Sequence, residues 1–190
     1  MNVAKALFKY TLKDKKVNPP FGDNIVSPAT GKVLKIIKIS DKKKIKIRKG
    51  LLGLVETTTK GIIKEGYLIS IFLRLYDNHI NRAPVNGKVV SVSHSNGKFR
   101  NAHSLKALRN EKTEIVFDSD IGRIKMLQIA GYVARRIETF IMPGQIVEKG
   151  QSIGLIKLGS QVTIVLPASI KLKIKKGQKV KAGLTVIGEF

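Results

Sequence analysis

Beyond residue 20 the chain alternates apolar and polar residues with a period of two. In "KKKIKIRKG", Ile45 and Ile47 fall on one face and Lys44, Lys46 and Arg48 on the other, the pattern of a strand with one buried side. "GYLISIFL", "GKVVSVSH", "TEIVFDS", "RIKMLQIAGYVA", "SIGLIKLG" and "SQVTIVLP" read as further strands, with most of the 17 glycines between them, where short turns need them. The first residues differ. Val3, Ala6, Leu7, Tyr10 and Thr11 recur at helical spacing among Lys5, Lys9, Lys13 and Lys16. They predict a basic amphipathic helix over residues 1–18, of the kind that lies on a membrane surface, ended by Asn18-Pro19-Pro20. A second helix is expected near "NAHSLKALRNE". The fold class is therefore mostly β, a compact barrel-like sandwich over residues 19–190 with a short N-terminal helix.

Two echoes run through the β region. "PATGKVLKI" and "PVNGKVVSV" share P-x-x-G-K-V, and "IMPGQIVEKGQSIGLI" resembles "SIKLKIKKGQKVKAGLTVIG" in its K-G-Q turn and following strand. Sandwiches assembled from such half-motifs include the lipoyl- and biotinyl-carrier domains. No lysine at a hairpin tip matches the carriers, so the echo speaks for fold alone.

Composition narrows the chemistry. Of 190 residues, 43% are hydrophobic, enough for a real core. There is no cysteine, hence no disulfide, thiolate metal site or cysteine nucleophile. His79, His94 and His103 lack metal-ligand spacing, and no apolar run reaches the roughly 18 residues of a spanning helix. The net charge of +23 attracts anions. With 6% aromatics and no RNP-like motif, nucleic acid is not the expected partner; an anionic membrane face or an acidic substrate remains.

Three segments carry the candidate chemistry: "IVSPATGKV" (25–33), "FLRLYDNHINRAPVNGKVVSVSHSNGKFRNA" (72–102) and "KLGSQVTIVLP" (157–167). In order, spacing and wording they resemble the phosphatidylserine decarboxylase family, in particular its shorter, membrane-peripheral branch. The D-x-H-x-N-R-A-P-x-x-G-x-V stretch, Asp77 to Val89, is the most specific; the G-K-F-x-N-A stretch, Gly97 to Ala102, supports it.

The resemblance implies that the protein makes a covalent pyruvoyl cofactor from its own backbone. The Oγ of Ser160 attacks the Gly159 carbonyl, and the resulting ester is split by β-elimination. A large chain, residues 1–159, is released from a small chain, residues 160–190, whose first residue becomes a ketone with loss of ammonia. That ketone takes the amine of phosphatidylserine and accepts the electron pair released as CO₂ leaves, giving phosphatidylethanolamine in phospholipid biosynthesis at the cytoplasmic face of the membrane. Glycine before the serine suits this role, because no Cβ shields the carbonyl. His79 is the expected base or proton donor. Asp77 shares its face in an extended run and either orients it or caps a turn. Arg82 and Lys98 are candidates for the lipid phosphate or serine carboxylate. His94 and His103 read as surface residues. The small chain stays with the large one, and self-association into a homo-oligomer is left open.

Two positions depart from the family pattern. Its first motif is usually S-P-A-D-G, and Thr30 stands where the Asp is expected; a hydroxyl cannot hold a charge beside an imidazolium. Another acid, Asp77 or Asp23, would then be needed, or processing is slow or lost. The G-S-R common in the short branch is G-S-Q here. The alternative reading is an uncleaved, non-catalytic relative that binds anionic lipid.

Overall fold

The structure is a computed structural model that describes residues 12–40, 45–49, 53–57, 62–96, 111–130, 136–156 and 160–190, with backbone alone for 45–57. Among these residues the chain forms strands and no helix. In the first part lie β1 (Asn24–Val26), β2 (Gly31–Ser40), β3 (Ile45–Lys49), β4 (Gly53–Thr57) and β5 (Glu65–Leu73). Next come β6 (Ile80–Arg82), β7 (Gly87–Ser95), β8 (Lys112–Ser119), β9 (Gly122–Ile129), β10 (Ile137–Thr139), β11 (Ile146–Val147) and β12 (Ser152–Ile156). The chain closes with β13 (Ser160–Pro167), β14 (Lys171–Leu172), β15 (Lys179–Val180) and β16 (Val186–Glu189).

An eight-stranded antiparallel sheet, in the order β11-β7-β8-β9-β13-β5-β2-β15, is flanked by two three-stranded sheets, β1-β16-β14 and β6-β12-β10, while β3 and β4 form a separate hairpin. The order reveals two like halves. One contains β1, β2, β5 and β13 to β16; the other contains β6 to β12 and is inserted between β5 and β13. The sequence echo is their imprint. Gly31 pairs with Val180 and Gly87 with Val147. Register shifts at Val33/Lys35 in one half and at Val89/Ser91 in the other. Gly177 and Gly144, both at positive φ, donate to Val33 and Val89 over 2.8 Å. Gly31 and Gly87 are required by close approach, since a Cβ would run into the Phe72 and Asp118 carbonyls.

Alternation explains the core. Val162, Ile164 and Leu166 on β13 meet Ile69 and Ile71 on β5, with Ile124 and Met126 on β9, in the main core. The opposite phase, Val165 with Leu68, Leu127 and Ile129, forms a smaller cluster behind the sheet. Each such side chain contributes about 1.5–3 kcal/mol when fully buried.

The N-terminal expectation needs correction. Residues 1–11 lie outside the described residues, and Leu12 to Asn18 are not helical. Their carbonyls are engaged by the inserted half: Lys13 accepts from Asn78 Nδ2 at 2.9 Å and Lys15 from Arg82 at 2.6 Å. The Pro pair that follows also disfavours helix in the residue before it. The helix expected near residues 101–111 falls almost wholly outside the described residues.

Candidate active site

Ser160 opens β13 on the phase of Val162 and Ile164, so its side chain belongs to the inner face. It is fully buried, and its Oγ has no hydrogen-bond partner among the described residues. Across the ladder it pairs with Leu73, the last residue of β5. Beyond Leu73 the chain turns through Arg74 to Asp77 (Asp77 N–H to Arg74 O, 3.0 Å) and reaches His79. The His79 carbonyl accepts from the N–H of Ile156 at 3.2 Å. The stretch Leu73 to His79 therefore brackets the connection from Ile156 to Ser160. Gly159 lies in that connection, outside the described residues, as do Lys98 and His103.

His79 is 0% exposed, and neither ring nitrogen makes a well-formed hydrogen bond among the described residues, although the Asp77 backbone lies close enough to interact with the ring. Burial pulls its imidazole below the ordinary histidine range, only partly offset by nearby Asp77. It is therefore neutral near pH 7, with one nitrogen able to accept a proton and the other to donate one.

Asp77 is spoken for. Its carboxylate accepts from the Arg74 backbone N–H (2.8 Å), Nε (2.9 Å) and Nη2 (2.9 Å), a charge-assisted clamp that closes the turn. Arg74 also stacks over Tyr76, 4.5 Å from the ring centre. Leu75 and Tyr76 at the tip of this turn are exposed.

Arg82 is buried. Its Nη1 donates to the Gly150 carbonyl (2.8 Å), and its Nη2 to Asp14 (2.6 Å) and to the Lys15 carbonyl (2.6 Å). This guanidinium ties the N-terminal segment to the inserted half.

Thr30 Oγ1 accepts from the Ala182 N–H at 3.1 Å. At the matching place in the other half, Asn86 Oδ1 accepts from the Lys149 N–H at 2.7 Å. Thr30 thus does the work of a turn cap. Asp23 is exposed. His94 is half-exposed on β7 and bonds Thr113 at 2.9 Å and Asn96 at 3.0 Å.

Two residues that no sequence motif singled out by role belong here. Asn81 on β6 and Gln128 on β9 are both 0% exposed, and Gln128 Nε2 donates to Asn81 Oδ1 at 2.8 Å. Gln128 pairs across the ladder with Val162, two residues from Ser160. In "IKMLQ" it occupies the apolar phase of Ile124 and Met126, a signal that was present in the sequence.

The family model for phosphatidylserine decarboxylase matches residues 4–188. A protein of Methanothermobacter thermautotrophicus, provisionally named an archaetidylserine decarboxylase proenzyme, is 38% identical over 92% of this chain and 76% of its own. Phosphatidylserine decarboxylase proenzymes of Carboxydothermus hydrogenoformans and Desulfotalea psychrophila are 37% identical (87% of this chain, 71% of theirs) and 33% identical (99% and 81%). The chain belongs to the phosphatidylserine decarboxylase family.

Proposed function

We propose that the chain is a proenzyme that splits itself between Gly159 and Ser160 and then converts phosphatidylserine to phosphatidylethanolamine at the cytoplasmic face of a membrane. The observation that carries this reading is a buried serine hydroxyl and a buried neutral imidazole, neither with a well-formed hydrogen bond among the described residues, at the two ends of one junction in a family of proenzymes. A buried polar group without a partner costs about 1–3 kcal/mol, so its retention calls for a use.

The roles follow from the groups. His79 takes the Ser160 hydroxyl proton as Oγ adds to the Gly159 carbonyl. The peptide C–N bond breaks and an ester forms. Loss of the Ser160 α-proton with cleavage of the Cβ–O bond leaves Gly159 as a carboxylate. Water then replaces the new N-terminal nitrogen, which departs as ammonia. The ketone so formed supplies an electron sink for decarboxylation. The site suits it: the first residue of β13 is fully buried, and neutral His79 can return a proton to carbon after CO₂ leaves. Asp77, clamped by Arg74, fixes the turn that carries His79. Membrane approach is supported by the +23 charge and by exposed Leu75 and Tyr76 beside the site.

The test is phosphatidylethanolamine formation from phosphatidylserine vesicles, with and without hydroxylamine, which captures ketones. The reading requires turnover that hydroxylamine abolishes and that Ser160→Ala lacks. Vesicle binding without turnover would favour the non-catalytic relative, and turnover by Ser160→Ala would refute the mechanism.

A further inference from the structure

Asn81 and Gln128 sit where an apolar core is expected. Counting from the two P-x-x-G turns, Asn81 stands three residues before Pro84 as Ile25 stands three before Pro28. Ile25 pairs with Gly188, and Asn81 pairs with Gly154. Ile25 is part of the main apolar core; its counterpart is a fully buried amide. Gln128 likewise faces inward on β9, in register beside Val162. A Cβ on Gly154 would come within 3.0 Å of Gln128 Nε2, so the missing side chain there makes room for the amide.

The pair satisfies only half of its own capacity. With Gln128 Nε2 bound to Asn81 Oδ1, Asn81 Nδ2 and Gln128 Oε1 have no partner among the described residues. Exchanging oxygen and nitrogen in both amides leaves the same inventory: one free donor group and one free acceptor. Asn81 lies two residues after His79, and Gln128 lies diagonally across the ladder from Ser160, a separation of roughly 7–8 Å between such positions that a long side chain spans.

We infer that the Asn81–Gln128 pair reads the amino-acid head of the substrate as it arrives, before the ketone takes its amine, its donor taking the carboxylate and its acceptor the ammonium group. This rests on the proposed decarboxylase function and adds a specificity element to it. A head group with the amine alone fills only the acceptor. The pair thus distinguishes the serine head of the substrate from the ethanolamine head of the product, and so favours product release.

Calorimetric binding of two soluble head groups, glycerophosphoserine and glycerophosphoethanolamine, to protein whose ketone has been capped with hydroxylamine tests this without relying on turnover. The parent should prefer the serine compound about ten-fold or more, the worth of a hydrogen bond to a charged group. Asn81→Leu and Gln128→Met should bring the ratio close to one. Gln128→Glu keeps the size and shape and consumes the free Asn81 donor, so it should lose the preference while remaining folded. In the turnover assay KM for phosphatidylserine should rise, with kcat held within about three-fold. Turnover by the parent with the preference intact in folded variants would overturn the inference and leave the decarboxylase reading standing. A parent that keeps the preference but forms no phosphatidylethanolamine would do the reverse. Variants that lose stability alone, with the ratio unchanged, would show a purely structural pair.

Discussion

The two halves of this molecule share strands, turns and register, and they differ at one joint. In the inserted half, β8 turns directly into β9: Ser119 pairs with Gly122 across Asp120-Ile121, and Gly122 supplies the positive φ. In the outer half, β5 and β13 pair in the same manner, Leu73 against Ser160, but no hairpin joins them. The chain leaves β5 for His79, builds the whole inserted half, and returns at Ser160. The junction that a turn would close is left open, flanked by a buried histidine and a buried serine. A cut there would spare the fold, because seven of the eight pairs of β13 to β5 and all five to β9 lie beyond residue 160.

The comparison can be broken most forcefully at the equivalent glycines. Gly31→Ala forces a methyl into the Phe72 carbonyl, and Gly87→Ala forces one into that of Asp118. Each should lower stability, by up to about 3 kcal/mol, measured by urea unfolding. Only Gly31→Ala, whose contact adjoins Leu73, should also slow chain splitting. Equal effects on splitting would sever the link between Phe72 and the junction.

Next comes the polar pair. Asn81→Ile or Gln128→Leu alone strands a buried amide and should cost about 1–3 kcal/mol, whereas the double variant, which imitates the apolar core of the outer half, should recover most of the loss. Additive losses in a double-mutant cycle would mean that the two amides are energetically independent.

Acid should expose a smaller difference. His79 stays neutral in the fold but protonates near pH 6.5 when unfolded. Its stabilising contribution is full above about pH 6.5 and is lost as pH falls towards its depressed folded value, by at most about 1.4 kcal/mol per pH unit. Asp23 occupies the matching place in the outer half and is exposed. Thermal unfolding between pH 7 and 5 should thus be less pH-dependent in His79→Leu.

The smallest effect is expected at Thr30. An Asp there can accept the Ala182 N–H as Asn86 accepts that of Lys149, so Thr30→Asp should change stability by less than about 0.5 kcal/mol. Any faster splitting would then report its charge acting on His79. No acceleration would show that Thr30 serves only the turn.

Most of the long strands were legible from period-two patterning, but β2, the longest, was not read as one because Leu34, Ile36 and Ile37 break the alternation in GKVLKIIKIS; the repeated P-x-x-G-K-V announced the two halves. The short strands β1, β6, β10, β11 and β14 to β16 carry too few residues for alternation to show; tertiary pairing defines them. Helical spacing in residues 1–18 misled at Leu12–Asn18, where side chains of the inserted half capture the backbone. Ser160 and His79 were singled out through motif context, while the commitment of Arg82 to Asp14 and Gly150 depends on contacts between residues 68 positions apart. Gln128 required seeing a polar residue on the apolar phase as a signal rather than an imperfection.

The central claim is that the open junction is a cleavage site, and intact mass under denaturing conditions tests it most directly. The account predicts two species held together only by packing: a large chain ending at Gly159 and a small one of 31 residues, beginning at position 160 with a pyruvoyl end in place of the serine amine. A single uncut chain of 21.0 kDa from protein that turns over phosphatidylserine would contradict it.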